Sequence, residues 1–140
     1  IDANIGFNRE YNVFELQSAL GAKNFNKAIQ IAHHMSQRSE KGEILRMVTN
    51  LHNYFGKILL TQQMSGGSKG ELASALGVNP FFLDEYLGAA KLYSASDLER
   101  VFNQIKLLDL RLKGVHRGSA SDGELLIEAI VGILRAPQRV

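Results

Sequence analysis

The sequence predicts an all-α single domain, a bundle of about seven helices, and three observations carry that expectation. Leucine occurs 19 times and alanine 13 times, against 9 for valine and threonine together, a balance that favours helix over sheet. Apolar residues recur at spacings of three and four along most of the chain, and no stretch alternates convincingly with a period of two. The length of 140 residues, 45% of them apolar and 21% charged, suits one packed core and leaves no room for two full domains.

The elements follow in order. Residues 1–10 show no apolar period and read as a lead-in from whatever precedes this piece, which opens at Ile1. Val13, Leu16, Gln17 and Leu20 make the stripe of a first helix starting near Asn12, with Gly21 placed to take a left-handed C-terminal cap. Asn24 caps a second helix whose inward face is expected to be Phe25, Ala28, Ile29, Ala32 and Met35, ending near Ser36. A third runs from about Glu40 to about Gln63 through Ile44, Met47, Val48, Leu51, Phe55, Ile58 and Leu59. Its internal Gly56 costs roughly 1 kcal/mol relative to alanine, so a neighbouring helix is expected to pack closely there.

The Ser-Gly-Gly-Ser-Lys-Gly stretch at 65–70 breaks the pattern and reads as a flexible joint. Ser68 and Glu71 then form a capping box for a short helix closed by Gly77. Asn79 caps the next, with Pro80 in its first turn, where a missing N–H does no harm, and it runs to about Tyr93. Ser96 and Glu99 are spaced as a second box, opening a long helix with Leu98, Val101, Phe102, Ile105, Leu108 and Leu112 on one side until Gly114. After a loop at 115–120, Ser121 and Glu124 make a third box before Leu125, Leu126, Ile127, Ala129, Ile130, Val131, Ile133 and Leu134. That last helix is apolar nearly all round and must be covered on more than one face, by its own domain or by a neighbouring subunit. Pro137 ends it.

Composition narrows the function classes. Sixteen basic and fourteen acidic residues leave a formal charge of +2, which does not demand nucleic acid as a partner despite a pI near 9.0. Without cysteine, disulfide and thiolate chemistry is excluded. No apolar run approaches the ~18–20 residues of a membrane span, and a soluble intracellular piece of a longer chain is expected.

The residues that could carry chemistry each have a plainer reading. His33 and His34 diverge by ~100° on a helix and cannot bite one metal, and His52 and His116 stand alone, so no metal or cofactor site is expected. Asp84 with Glu85, and Asp97 with Glu99, lie in first turns, where the helix dipole favours negative charge. The serines are caps, and no nucleophile elbow surrounds any of them, so no catalytic residue is named and the chain is not expected to be an enzyme. The sharpest local signal, Glu71 to Leu83, reads as a helix-turn-helix, yet the start of its second helix offers Phe81, Phe82, Asp84 and Glu85 rather than the Arg, Lys, Asn or Gln that read bases. A structural corner is the better reading, and a DNA-binding regulator is the alternative.

Phe14-Glu-Leu-Gln-Ser-Ala-Leu-Gly21 followed by Lys27-Ala28, the long helix around Leu51 to Leu59, Glu71-Leu-Ala-Ser-Ala-Leu-Gly-Val-Asn-Pro-Phe81 and Ile105-Lys-Leu-Leu-Asp-Leu-Arg-Leu-Lys-Gly114 together resemble the C-terminal part of the bacterial DNA polymerase III delta subunit family. The resemblance implies a helical collar domain over 11–140, preceded by AAA+ domains whose lid would feed residues 1–10. It implies a role in holding the clamp-loader pentamer together, in the cytoplasm, during loading of the sliding clamp on primed DNA. The implied partners are loader subunits of the gamma/tau and delta-prime types, with the clamp and DNA engaged by the N-terminal domains or by the whole complex, no cofactor, and no ATP hydrolysis by delta itself. Surplus apolar surface on the last two helices points to Leu110, Lys113, Ile127, Val131 and Arg135 as the residues that meet neighbouring subunits.

Overall fold

The computed structural model describes residues 12–64 and 66–135. Over them the chain forms seven α-helices: α1 Val13–Gly21, α2 Phe25–Arg38, α3 Glu43–Gln63, α4 Lys69–Leu76, α5 Leu83–Leu92, α6 Ala95–Leu112 and α7 Asp122–Leu134, with a 3₁₀ turn at Pro80–Phe82 before α5. No strand occurs among the described residues, as the composition predicts. The proposed lead-in at 1–10 lies outside them.

At 21 residues, α3 is about 31 Å long and forms the centre of the bundle. It packs against α5 and α6, while α7 closes the other side against α2 and α6, and α1 lies over α2, α3 and α5. The common core contains Leu16, Leu20, Ile31, Leu51, Phe55, Ile58, Leu98, Leu126 and Ile130, all almost wholly out of water. Tyr93 is buried with them, its ring 5.4 Å from that of Phe55 and its hydroxyl donating to the Leu20 carbonyl. Burial pushes the Tyr93 hydroxyl well above the ordinary phenol range, so it stays a neutral donor. A separate small core of Leu72, Ala73, Leu76 and Leu83 ties α4 to the start of α5.

Local chemistry explains most boundaries. The Asn12 side chain accepts from the N–H groups of Phe14 at 2.9 Å and Glu15 at 3.1 Å, and Asn24 accepts from Lys27 at 3.2 Å. The boxes at Ser68–Glu71 and Ser121–Glu124 form in both directions. Gly77 takes φ +71, the left-handed cap its position predicts.

Several expectations need correction. The second box belongs to Ser94 and Asp97, not Ser96 and Glu99, because that register starts α6 at Ala95 and leaves Tyr93 free to turn into the core. Gly21 is the last helical residue of α1 rather than a left-handed cap, and the positive φ falls on Lys23 at 55°. Gly21 is small for another reason: a Cβ there would strike the Tyr54 hydroxyl. Gly56 has no close neighbour, since an added Cβ would meet nothing within 4 Å. α2 runs on to Arg38, and its buried face is Ala28, Ile31, Ala32 and Met35, with Phe25 left 47% exposed. α3 starts at Glu43 after Gly42 at φ +83, with the Glu43 carboxylate accepting from the Glu40 N–H at 2.9 Å.

Candidate subunit interface

α6 and α7 run antiparallel, joined by the 113–121 connection. Near one end Arg100 of α6 donates to the carbonyls of Gly132 at 3.4 Å and Ile133 at 3.1 Å, placing its guanidinium on the negative end of α7. Further along, Arg111 pairs with Glu128. At the connection Arg117 pairs with Asp122 and donates to the carbonyls of Ala120 at 2.9 Å and Leu112 at 3.2 Å, which fixes the turn.

The inner faces of both helices are used up in the core: Leu98, Val101, Ile105 and Leu108 from α6, and Leu125, Leu126, Ala129, Ile130 and Ile133 from α7. Beside this seam a groove of about 560 Å³ remains, with Gln104, Leu107 and Arg111 on one wall and Ile127, Val131 and Arg135 on the other. Leu107 is 46% exposed, and Ile127 and Val131 are half-buried. The walls approach closest at Gly132, where a Cβ would come within 2.5 Å of the Gln104 amide group. The groove thus combines an apolar lining with charged side chains, among them the Arg111–Glu128 pair and the exposed Arg135. Its apolar side chains, open to water, suit burial against a protein surface.

Of the five residues the sequence singles out, Ile127, Val131 and Arg135 line this groove together, whereas Leu110 on α6 and Lys113 just after its end are exposed and do not line it. Lys113 instead pairs with Asp109 at 3.2 Å, the spacing of four that the sequence shows. Arg100 and Arg117, which set the angle and length of the α6–α7 hairpin, are not marked by periodicity. For Arg100 the one sequence signal is Asp97, three residues earlier and 3.2 Å away.

Several other ionisable groups have structural partners. Asp97 accepts from the Ser94 N–H at 2.9 Å and pairs with Arg100 and, at 3.4 Å, with Lys23. The Ser94 N–H first, and then Arg100 and Lys23, hold its carboxyl at about 2, below the ordinary carboxylate value. Asp84 is exposed beside Lys69 at 3.4 Å. His52 tilts against Phe102 with 5.4 Å between ring centres. Among the described residues no group of three or more His, Cys, Asp or Glu could hold a metal ion, and no helix is long and apolar enough to cross a membrane. At the corner between α4 and α5 the exposed side chains include Phe81, Phe82 and Asp84, with Lys69 paired to Asp84 and Asn79 engaged in capping, a poor surface for a phosphate backbone.

Residues 10–131 match the family described as the DNA polymerase III delta subunit, C-terminal domain. The chain is 26% identical over 121 residues to DNA polymerase III subunit delta of Bacillus subtilis, covering 85% of this chain and 33% of that protein. The solved structure of the Bacillus subtilis DNA clamp loader delta protein superposes with a TM-score of 0.67 at 25% identity, over 87% of this chain and 35% of that one. The chain therefore spans about a third of the length of both relatives. These comparisons give no support to the alternative of a DNA-reading regulator.

Proposed function

The chain belongs to the family of C-terminal domains of DNA polymerase III delta subunits, and on that premise we propose that it is the helical collar by which a delta protein is held among the other members of a bacterial clamp loader. The observation that carries this reading is the α6–α7 groove: it leaves apolar side chains in water on a helix pair whose inner faces are already buried in the core. Burying such surface against a partner returns about 25 cal/mol per Å² before the costs of association. Ile127, Val131 and Arg135 make the contact with a collar of a neighbouring subunit, of the gamma/tau or delta-prime type, and Leu110 and Lys113 extend it at the rim. The domain's work is cohesion and not catalysis. Gripping the clamp and meeting DNA fall to the remainder of a delta protein and to the assembled loader, in the cytoplasm at the replisome.

The test places Val131→Asp in a full delta protein and measures loader assembly by size-exclusion chromatography and titration calorimetry. Assembly should weaken by an order of magnitude or more, because a carboxylate would have to be buried without a partner, while Asp at Leu110 should do less. Unchanged assembly by a folded Val131→Asp protein would sink the proposal.

A further inference from the structure

A second groove, of about 450 Å³, opens between α1, α3 and α5, on elements that do not include the α6–α7 hairpin, and it differs in chemistry. Phe14, 66% exposed, and Phe82, 50% exposed, both line it. With them is a half-buried carboxylate, Glu85, whose Oε2 accepts from Tyr54 Oη at 2.7 Å and Ser18 Oγ at 3.0 Å. Its Oε1 accepts from nothing among the described residues, and none of their ion pairs includes it, although Lys57 lines the same groove from α3. Tyr86 adds an aromatic wall, its ring 5.2 Å from that of Tyr54.

A carboxylate held partly out of water, with no ion pair among the described residues, is stabilised by a cation that reaches it, and the effect grows as the site is covered. Aromatic walls beside it favour a planar cation that can stack while it donates to Oε1. The flanking phenylalanine rings, left in water at a cost, favour an apolar ring placed next to that cation. We infer that this groove docks a protein segment that presents an arginine side chain beside an aromatic one, the guanidinium on Glu85 and the ring between Phe14 and Phe82. The inference is independent of the collar reading, since it uses neither the same helices nor the same partner.

The test titrates N-acetyl-Arg-Phe-amide into the 140-residue chain and follows backbone amide shifts by NMR, with N-acetyl-citrulline-Phe-amide as the uncharged control. Saturable shifts are expected at Ser18, Tyr54, Phe82 and Glu85, weakened by about tenfold for the citrulline probe and for Glu85→Gln, which keeps an acceptor for Tyr54 and preserves shape. Phe82→Ala, at an exposed position, should weaken the arginine probe while the domain stays folded. The inference is overturned if no groove amide shifts saturably, or if the citrulline probe or Glu85→Gln binds equally. It also fails if the same amides shift on dilution of the chain alone, which would assign the groove to a second copy.

Discussion

Adding one methyl group at Gly123 should loosen the bundle, although alanine is the better helix former. Gly123 lies in the first turn of α7, where that helix crosses α2, and an added Cβ would come 2.5 Å from Ser36 Cβ, 2.8 Å from Ser36 Cα and 2.9 Å from the Ser36 carbonyl oxygen. Carbon atoms prefer ~3.5–4.0 Å, and two of these three contacts are with the backbone, which cannot swing aside as a side-chain tip does. The helices must therefore part by about 1 Å along the most extensive contact in the fold, an overpacking cost of about 1–3 kcal/mol. Alanine's advantage over glycine offsets at most about 1 kcal/mol. With that offset the net loss is up to about 2 kcal/mol, a fall in Tm of up to roughly 8 °C for a domain of this size. Gly56→Ala is the matched control: nothing lies within 4 Å of its added Cβ, so the same methyl group should stabilise by about 0.5–1 kcal/mol. Thermal and urea unfolding followed by circular dichroism measure both. The packing argument fails if Gly123→Ala is as stable as the parent, or if both substitutions shift stability in the same direction.

The two serines at the start of α6 should separate cleanly: Ser94→Ala removes the side chain that accepts from the Asp97 N–H at 3.0 Å and should cost about 1 kcal/mol, whereas Ser96→Ala should be neutral in urea unfolding. Equal effects would return the box to Ser96. The acid limb of the stability profile should carry the signature of Asp97. With its folded value depressed to about 2, it binds a proton more readily when unfolded, so its contribution is complete above the ordinary carboxylate value and is lost as pH falls through about 4 towards 2. Allowing for solvent screening, that contribution is about 1–2 kcal/mol, and the gap between the parent and Asp97→Asn should narrow over the same window. A gap that stays constant down to pH 2 would refute the assignment.

The sequence displayed the class of the fold and nearly every helix because those features are written in spacings of three and four and in short-range caps. The boxes at Ser68 and Ser121, the Asn12 and Asn24 caps and the left-handed Gly77 all act within one turn. What it concealed are contacts between residues far apart in the chain. Gly21 looks like a helix terminator until Tyr54, more than thirty positions away, is found against it, and Gly56 looks like a close crossing until its surroundings are found open. The Ser94-Ala-Ser-Asp-Leu-Glu99 stretch holds two boxes in different registers, and burial of Tyr93 decides between them. For the candidate interface, apolar excess on the last helix marks Ile127 and Val131, while on α6 the same criterion cannot tell Leu107, which lines the groove, from Leu110, which does not. Arg100 and Arg117 act on distant or reversed backbone carbonyls, for which periodicity has no signal.

The small core beneath α4 shares only half-buried packing with the main one, through Tyr86. Local opening there should therefore depend largely on Leu72, Ala73, Leu76 and Leu83, and native-state amide exchange of α4 is expected to be faster than that of α3 and α6; equal exchange rates would refute this.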